Sequence, residues 1–173
     1  MRLAIFIILT LVALQRLIEI VYAERNTRAL LARGAVEVGR AHYTLIVLLH
    51  AAWLLAIVLF LPMDATIHWI PLVLFVLLQL ARVWVIATLG PYWTTRIITL
   101  ESAPLVRSGP YRFVRHPNYL VVAGEIATLP LAFGEVEVAI VFTVLNAAML
   151  AWRIRQEDPA LTARRSCVPA NVR

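Results

Sequence analysis

Five apolar runs constrain the fold of this 173-residue chain more than any other feature. An α-helix rises 1.5 Å per residue, so about 20 residues are needed to cross a hydrocarbon core of about 30 Å. The first three runs reach this length. The last two are shorter, as expected for shortened spans or for a tight helical hairpin that crosses only in part. The runs cover residues 3–22, 43–61, 69–89, 119–133 and 136–152.

The composition is that of a membrane protein. Hydrophobic residues make up 62% of the chain and charged residues 15%, whereas soluble domains are about 45–50% apolar. No internal repeat or linker divides the sequence. We therefore predict an all-α integral membrane protein with one domain over residues 1–173. It has about five transmembrane helices, a C-terminal helical hairpin and a short cytoplasmic tail.

Several classes of protein lack their usual signatures here. The net charge of +6 does not indicate a nucleic-acid partner, because the arginines lie in loops between apolar runs. Cys167 is the single cysteine, and the four histidines have no metal-ligand spacing, so we predict no metal. The sequence also lacks G-x-S-x-G, P-loop and G-x-G-x-x-G motifs.

The arginines predict an orientation. Thirteen of the 16 basic residues fall in the segments 23–42, 90–118 and 153–173, whereas Arg2 alone flanks the opposite ends of the runs. Cytoplasmic loops carry the excess of basic residues. We therefore expect the N-terminus outside and the C-terminus inside, in a bacterial inner (plasma) membrane. The three arginine-rich segments then share the cytoplasmic side.

The stretch GPYRFVRHPNYL, residues 109–120, places a polar, rigid segment directly before the fourth run. Pro117 suits the first position of a helix, since its missing N–H has no partner there anyway, and His116 then lies at the cap. The free N–H groups of such a helix bind anions, and Arg112 and Arg115 strengthen this property. A simple arginine anchor at the membrane boundary explains the same residues equally well.

A second polar cluster, WRIRQEDPALTARR, covers residues 152–165. Arg153 and Glu157 are four residues apart and therefore lie on one helix face. One interpretation is an interfacial salt bridge with Pro159 ending the helix. In the other, Glu157 accepts hydrogen bonds from a ligand while Arg153 binds an anionic group of the substrate or balances Glu157.

Polar residues inside the apolar runs form a third set. Charges at membrane depth are costly and are functional hypotheses by default. Arg16 and Glu19 lie near the end of the first run, where extension of their side chains to the interface is a sufficient explanation. Glu125 is expected to face a cavity, either paired with Arg82 or acting as a base, and a purely structural bridge is equally compatible. The set comprises Gln15, Arg16, Glu19, Gln79, Arg82 and Glu125.

The motifs together resemble a known family. SGPYRFVRHPNYL, a helical hairpin and RIRQEDPAL follow one another as in the isoprenylcysteine carboxyl methyltransferase family, over residues 90–161. Related membrane enzymes, including phospholipid N-methyltransferases, carry a similar R-H-P-x-Y signature. The resemblance implies a membrane methyltransferase that uses S-adenosylmethionine and a lipophilic small-molecule or lipid substrate from the bilayer.

The resemblance also implies the site residues. Glu157 matches a glutamate that contacts the cofactor, and Arg153 matches an arginine assigned to the substrate. The other residues expected to bind the cofactor are Ala103, Pro104, Leu105, Val106, Tyr111, His116, Pro117, Asn118 and Tyr119.

The sequence departs from the family pattern at three places. Asp158 stands where the family has a second glutamate, and Pro159 after it is expected to shorten the last helix. A glutamine that often lies upstream in the family is replaced near Arg96.

These observations lead to one predicted reaction and its alternatives. The protein is expected to O-methylate a carboxyl or hydroxyl group of a lipophilic acceptor, with His116 and Glu125 as the available bases and Arg153 on the substrate. N-methylation of a lipid amine is the alternative within enzymes. A transporter or scaffold whose arginines only set the topology, and a membrane reductase with a similar R-H-P-N-Y motif, are the other possibilities.

Overall fold

The computed structural model describes residues 1–100 and 106–166, apart from the side chains of residues 40–42 and 158–166. Over these ranges the chain is mostly helical, which confirms the predicted class. The helices are α1 (Arg2–Leu31), α2 (Arg40–Phe60), α3 (Trp69–Leu89), α4 (Pro117–Ala132) and α5 (Val136–Ser166).

Two short strands were not predicted. Strand β1 (Val36–Val38) follows α1, and strand β2 (Ile97–Thr99) follows α3. They pair antiparallel, with Glu37 opposite Ile98. Three-residue strands are too short for a recognisable alternation of apolar residues, so the sequence does not predict them. We call the pair of strands β1 and β2 the ribbon.

Four helices are long and apolar enough to cross a membrane within the described part of the chain: α1, α2, α3 and α5. Helix α4 has 16 residues, about 24 Å, as expected for the fourth run. The expectation for the last run is wrong, because α5 continues for 31 residues, through Pro159. Alanine, leucine and arginine, which are good helix formers, dominate residues 160–165 and favour continuation of the helix beyond Pro159.

The apolar core lies between the helices. Trp53 and Ile57 of α2 pack against Ile126 and Leu129 of α4, and all four are almost fully buried. The Trp53 indole N–H also donates to the carbonyl oxygen of Ile126 (3.2 Å). Many large apolar side chains point outward instead, as in a bundle surrounded by lipid.

One end of the bundle gathers the described parts of the three arginine-rich segments, and we call it the arginine-rich end. The ribbon joins residues 36–38 to residues 97–99. Asn26 donates to the carbonyl oxygens of Gly90 (3.2 Å) and Trp93 (2.9 Å). Helix α1 reaches this end because its 30 residues span about 45 Å, well beyond the predicted run 3–22.

Helices α1, α3 and α4 enclose an ion cluster formed by Arg16, Glu19, Arg82 and Glu125. The Arg82 guanidinium contacts Glu19 Oε2 at 2.7 Å and Glu125 Oε2 at 2.9 Å. The Arg16 guanidinium contacts the same two carboxylates, at 2.8 Å and 3.1 Å. The cluster has no net charge, because two guanidiniums balance two carboxylates.

Two glutamines complete the ion cluster. Gln79 donates to Glu125 Oε1 (2.8 Å), and Gln15 donates to Glu19 Oε1 (2.9 Å). The structure thus pairs Glu125 with Arg82, one of the two arrangements expected from the sequence. The explanation for Arg16 by extension to the interface is wrong, because Arg16 turns inward to reach Glu125.

Removing one member of the ion cluster should strongly destabilise the fold. Arg82→Leu leaves Glu19 and Glu125 with one arginine between them, and we expect the free energy of unfolding to fall by about 3–5 kcal/mol. Denaturant titration in detergent micelles measures this value. Arg28→Leu is the control, since Arg28 pairs with Glu24 on the surface and its side chain is 78% exposed. That change should stay within about 0.5 kcal/mol, and equal effects of the two variants would contradict the assigned role.

Glu135 lies in the turn between α4 and α5, at the other end of the bundle. Its residue surface is 5% exposed, and neither carboxylate oxygen has a hydrogen-bond partner among the described residues. Burial disfavours the charged form and raises the pKa of Glu135 from 4.5 to about 7. The folded state therefore favours the protonated acid.

The raised pKa of Glu135 predicts a dependence of stability on pH. The folded state binds the Glu135 proton more tightly than the unfolded state does. The contribution of this proton to the free energy of unfolding is therefore complete below pH 4.5 and is lost as the pH rises to about 7. Thermal unfolding midpoints in detergent should fall over that range for the native chain. Glu135→Gln should remove the part of this decrease that comes from Glu135. An identical pH profile of the unfolding midpoint in the variant would contradict the assignment to Glu135.

Candidate active site

The start of α4 has the predicted geometry. Pro117 occupies the first turn of the helix and His116 is the N-cap residue. The Tyr119 backbone N–H donates to the His116 carbonyl oxygen (3.1 Å). The His116 and Tyr119 rings stack with centroids 5.1 Å apart and an interplanar angle of 11°. This cap orients both aromatic side chains toward α5.

The Tyr119 hydroxyl connects the two sequence clusters. It donates a hydrogen bond to Glu157 Oε2 and accepts one from Arg153 Nε (2.7 Å). His116 Nδ1 lies 3.8 Å from Glu157 Oε2. The structure therefore brings together four residues singled out in the sequence, and we call His116, Tyr119, Arg153 and Glu157 the candidate site.

Arg153 is a buried cation, 9% exposed. Its Nη2 donates to the carbonyl oxygen of Thr95 (2.8 Å), and its guanidinium lies 5.5 Å from the centre of the Tyr119 ring. The salt bridge from Arg153 to Glu157 expected in one interpretation is replaced by an indirect link, with the Tyr119 hydroxyl between them. Among the described residues, Arg153 thus hydrogen-bonds only to two neutral oxygens, the Tyr119 hydroxyl and the Thr95 carbonyl.

Tyr111 approaches the candidate site from the turn before α4. Gly109 opens this turn with φ +56°, and a Cβ there would lie 2.5 Å from Thr88 Oγ1, so only glycine fits against α3. Burial raises the pKa of the Tyr111 phenol, and the negative charge of Glu157 raises it further. Tyr111 therefore lies within electrostatic reach of Glu157.

Asn118 provides an acceptor without a partner. Its Oδ1 atom is buried and makes no hydrogen bond to the described residues. An orphaned acceptor beside Tyr119 fits a ligand with ammonium, amine or hydroxyl donors, all of which S-adenosylmethionine carries. The residues present therefore fit this cofactor.

The segment before the turn is described only in part. Val106 is partly buried and irregular. Ala103, Pro104 and Leu105 lie outside the described residues, and their role in cofactor binding stays a prediction.

Glu125 lies apart from the candidate site. It follows Tyr119 by six residues, about 9 Å along α4, and its carboxylate is held in the ion cluster. As a base, the role predicted for it, Glu125 would therefore act at a position separate from the candidate site. Within the described part of the chain, no group of three or more His, Cys, Asp or Glu residues could hold a metal ion.

Thr95 was not among the residues predicted from the sequence. It contacts Arg153 through its backbone carbonyl oxygen, a group that every residue type carries, so no motif could reveal it. Its hydroxyl also lies 3.4 Å from the Tyr43 hydroxyl on α2. Both residues became neighbours of the site only through the fold.

The candidate site lies in a bundle whose described part includes four helices long and apolar enough to cross a membrane. The model of the isoprenylcysteine carboxyl methyltransferase family matches residues 69–163, from α3 to the end of the site. The chain belongs to this family. The resemblance noted in residues 90–161 is thereby confirmed, and the family is one of methyltransferases.

Two bacterial relatives extend the similarity beyond the matched region. The chain is 33% identical over 160 residues to the uncharacterized protein YpbQ of Bacillus subtilis (strain 168), covering 90% of this chain and 95% of that protein. It is 30% identical over 144 residues to an uncharacterized protein of Haemophilus influenzae (strain ATCC 51907 / DSM 11121 / KW20 / Rd), covering 80% and 83%. No solved structure matches the chain.

The proximity of Tyr111 and Glu157 can be tested without any ligand. Glu157→Gln removes a negative charge beside the phenol, so the pKa of Tyr111 should move down toward its ordinary value of 10. Tyrosine ¹³C-NMR in micelles, assigned with Tyr111→Phe, measures this titration. Glu137→Gln, an exposed carboxyl at the start of α5, is the control and should leave the pKa unchanged. An unshifted Tyr111 in Glu157→Gln would show that the two side chains are not adjacent.

Proposed function

We propose that this protein is an integral membrane methyltransferase that uses S-adenosylmethionine and methylates an oxygen of a lipophilic acceptor. One observation carries the proposal: the Tyr119 hydroxyl joins Arg153 to Glu157 beside the stacked His116 ring. This arrangement lies within the part of the chain matched by a methyltransferase family.

The cofactor would lie at the start of α4. Asn118 Oδ1 and the Glu157 carboxylate would accept hydrogen bonds from its amine and hydroxyl groups, and the stacked His116 and Tyr119 rings would present flat faces to it. When bound, S-adenosylmethionine supplies a methyl group on a cationic sulfur, which an oxygen nucleophile takes as the carbon–sulfur bond breaks. The further contacts proposed are Ala103, Pro104, Leu105, Val106, Tyr111 and Pro117.

The charge of Arg153 favours an oxygen acceptor over a lipid amine. A buried guanidinium whose described partners are neutral attracts an anion, and a carboxylate is already a nucleophile. A neutral amine, the form that can attack a methyl group, would gain no comparable attraction from the guanidinium. For a hydroxyl acceptor, His116 is the group within the candidate site that can remove a proton.

The bilayer and the arginines support the remaining parts of the proposal. An acceptor with a long apolar chain can enter sideways between helices whose outer faces are apolar. The arginine-rich end would face the cytoplasm of a bacterial cell, where S-adenosylmethionine is made, with the N-terminus outside.

Cofactor binding tests the proposal most directly. Calorimetry with S-adenosylmethionine in detergent should detect binding by the native chain. Glu157→Ala should weaken it by about tenfold or more, the effect of losing one charge-assisted contact. His116→Ala should also weaken it, because the ring face beside Tyr119 is lost. Glu137→Ala, at the far end of α5, should bind as the native chain does.

The acceptor is identified by labelled methyl in lipid extracts of membranes that contain the protein. Label in an ester or ether supports the proposal, and label in an amine overturns its acceptor. Failure of the native chain to bind S-adenosylmethionine would overturn the function itself.

A role of Glu125 as a base makes a separate prediction. Glu125→Gln should keep the affinity for S-adenosylmethionine and slow methyl transfer by about 100-fold, as general bases contribute. Glu19→Gln is the matched control, because it neutralises the other carboxylate of the ion cluster without changing α4. Full activity of Glu125→Gln, or equal slowing in both variants, would remove the role of Glu125 as a base.

A further inference from the structure

The connector between α3 and β2, residues 90–96, supplies the Thr95 carbonyl oxygen that accepts a hydrogen bond from Arg153. We infer that Arg96 is a positioning residue that fixes this connector against Arg153, an inference that rests on the proposed function. Arg96 acts through its neighbour Thr95 and makes no described contact with the four residues of the candidate site.

Three elements hold the Arg96 side chain. Its Nη1 lies 3.2 Å from Glu37 Oε1 on β1, and its Nη2 lies 3.4 Å from Glu24 Oε2 on α1. Its guanidinium lies 4.5 Å from the centre of the Tyr43 ring on α2. The Glu37 side chain is 6% exposed, and a buried carboxylate is costly unless a cation balances it. Arg96 is therefore held strongly in place.

The other end of the connector is fixed as well. Asn26, 7% exposed, donates to the carbonyl oxygens of Gly90 and Trp93. The Tyr22 and Trp93 rings stack with centroids 5.9 Å apart. Helix α1 thus holds the connector at its beginning, and Arg96 holds it at its end.

The fixed connector determines how Arg153 is oriented. The Thr95 carbonyl oxygen engages Nη2 at 2.8 Å, while the Tyr119 hydroxyl engages Nε at 2.7 Å. Two acceptors at these atoms set the plane of the guanidinium. Without Arg96, the Thr95 carbonyl oxygen is free to move, and Arg153 loses one of its two described hydrogen bonds.

Cysteine labelling tests the connector without any cofactor or acceptor. In full-length protein carrying Cys167→Ser and Thr95→Cys, a water-soluble maleimide reports the access to position 95. Arg96→Gln should raise the labelling rate by about tenfold, because the connector opens more often. Arg96→Lys should lie between, since an ammonium keeps the charge but not the flat contact with Tyr43.

Arg28→Gln is the matched control for labelling. It also removes an arginine from Glu24, yet it lies on the exposed face of α1 and does not touch the connector. Its labelling rate should equal that of the parent protein. An unchanged rate in Arg96→Gln, or an equal rise in Arg28→Gln, would overturn the inference.

The transfer of labelled methyl from S-adenosylmethionine into the lipid extract tests the effect on Arg153. Arg96→Gln should lower kcat about tenfold, the effect of one lost hydrogen bond to a charged group. Its affinity for S-adenosylmethionine should remain native, and Arg96→Lys should recover part of kcat. A fall in affinity with unchanged kcat would contradict a role through Arg153.

The proposed function and this inference fail in different ways. If the native chain neither binds S-adenosylmethionine nor transfers methyl, the function is overturned, and the maleimide rates alone decide whether Arg96 fixes the connector. If Arg96→Gln does not fold, Arg96→Lys supplies the same comparison. Native labelling and a native kcat in Arg96→Lys, together with loss of folding in Arg96→Gln, would assign Arg96 a structural role only.

Discussion

The contact of Arg82 with Glu19 and Glu125 is the interaction on which the bundle depends. Inside a bilayer there is little water to solvate a lone charge, so these side chains are tolerable only together. Because they come from α1, α3 and α4, their pairing sets how the three helices turn toward one another. Helix α4 carries Tyr119 six residues, or about 1.7 turns, before Glu125, and the ion cluster thereby also locates the start of the candidate site.

The ion cluster and the candidate site differ in how their charged side chains are paired. In the ion cluster, two guanidiniums meet two carboxylates, and glutamines satisfy further oxygens. In the candidate site, Arg153 and Glu157 are separated by the Tyr119 hydroxyl, and Asn118 Oδ1 has no described partner. The first arrangement is complete by itself. The second leaves a buried acceptor atom of Asn118 without a described partner, which is the physical difference between the two polar groups.

The sequence predicted what depends on local rules. The length and composition of the apolar runs predicted the helices, and Pro117 predicted the helix cap at His116. The four-residue spacing predicted that Arg153 and Glu157 lie on one face of a helix. It failed where the outcome depends on distant partners. The inward turn of Arg16, the ribbon at Glu37 and the backbone carbonyl of Thr95 all require contacts between segments about sixty residues apart or more. No window of sequence contains both members of such contacts.

The length of α1 has a consequence for where this fold can be divided. The family match begins at residue 69, yet Glu19 supplies a counter-charge to Arg82 and Asn26 holds the carbonyl groups after α3. A fragment that begins at α3 would retain the whole candidate site while losing the support on which its geometry depends. The region matched by the family therefore does not contain all the contacts that support it, because α1 supplies a counter-charge to Arg82 and two hydrogen bonds to the segment after α3.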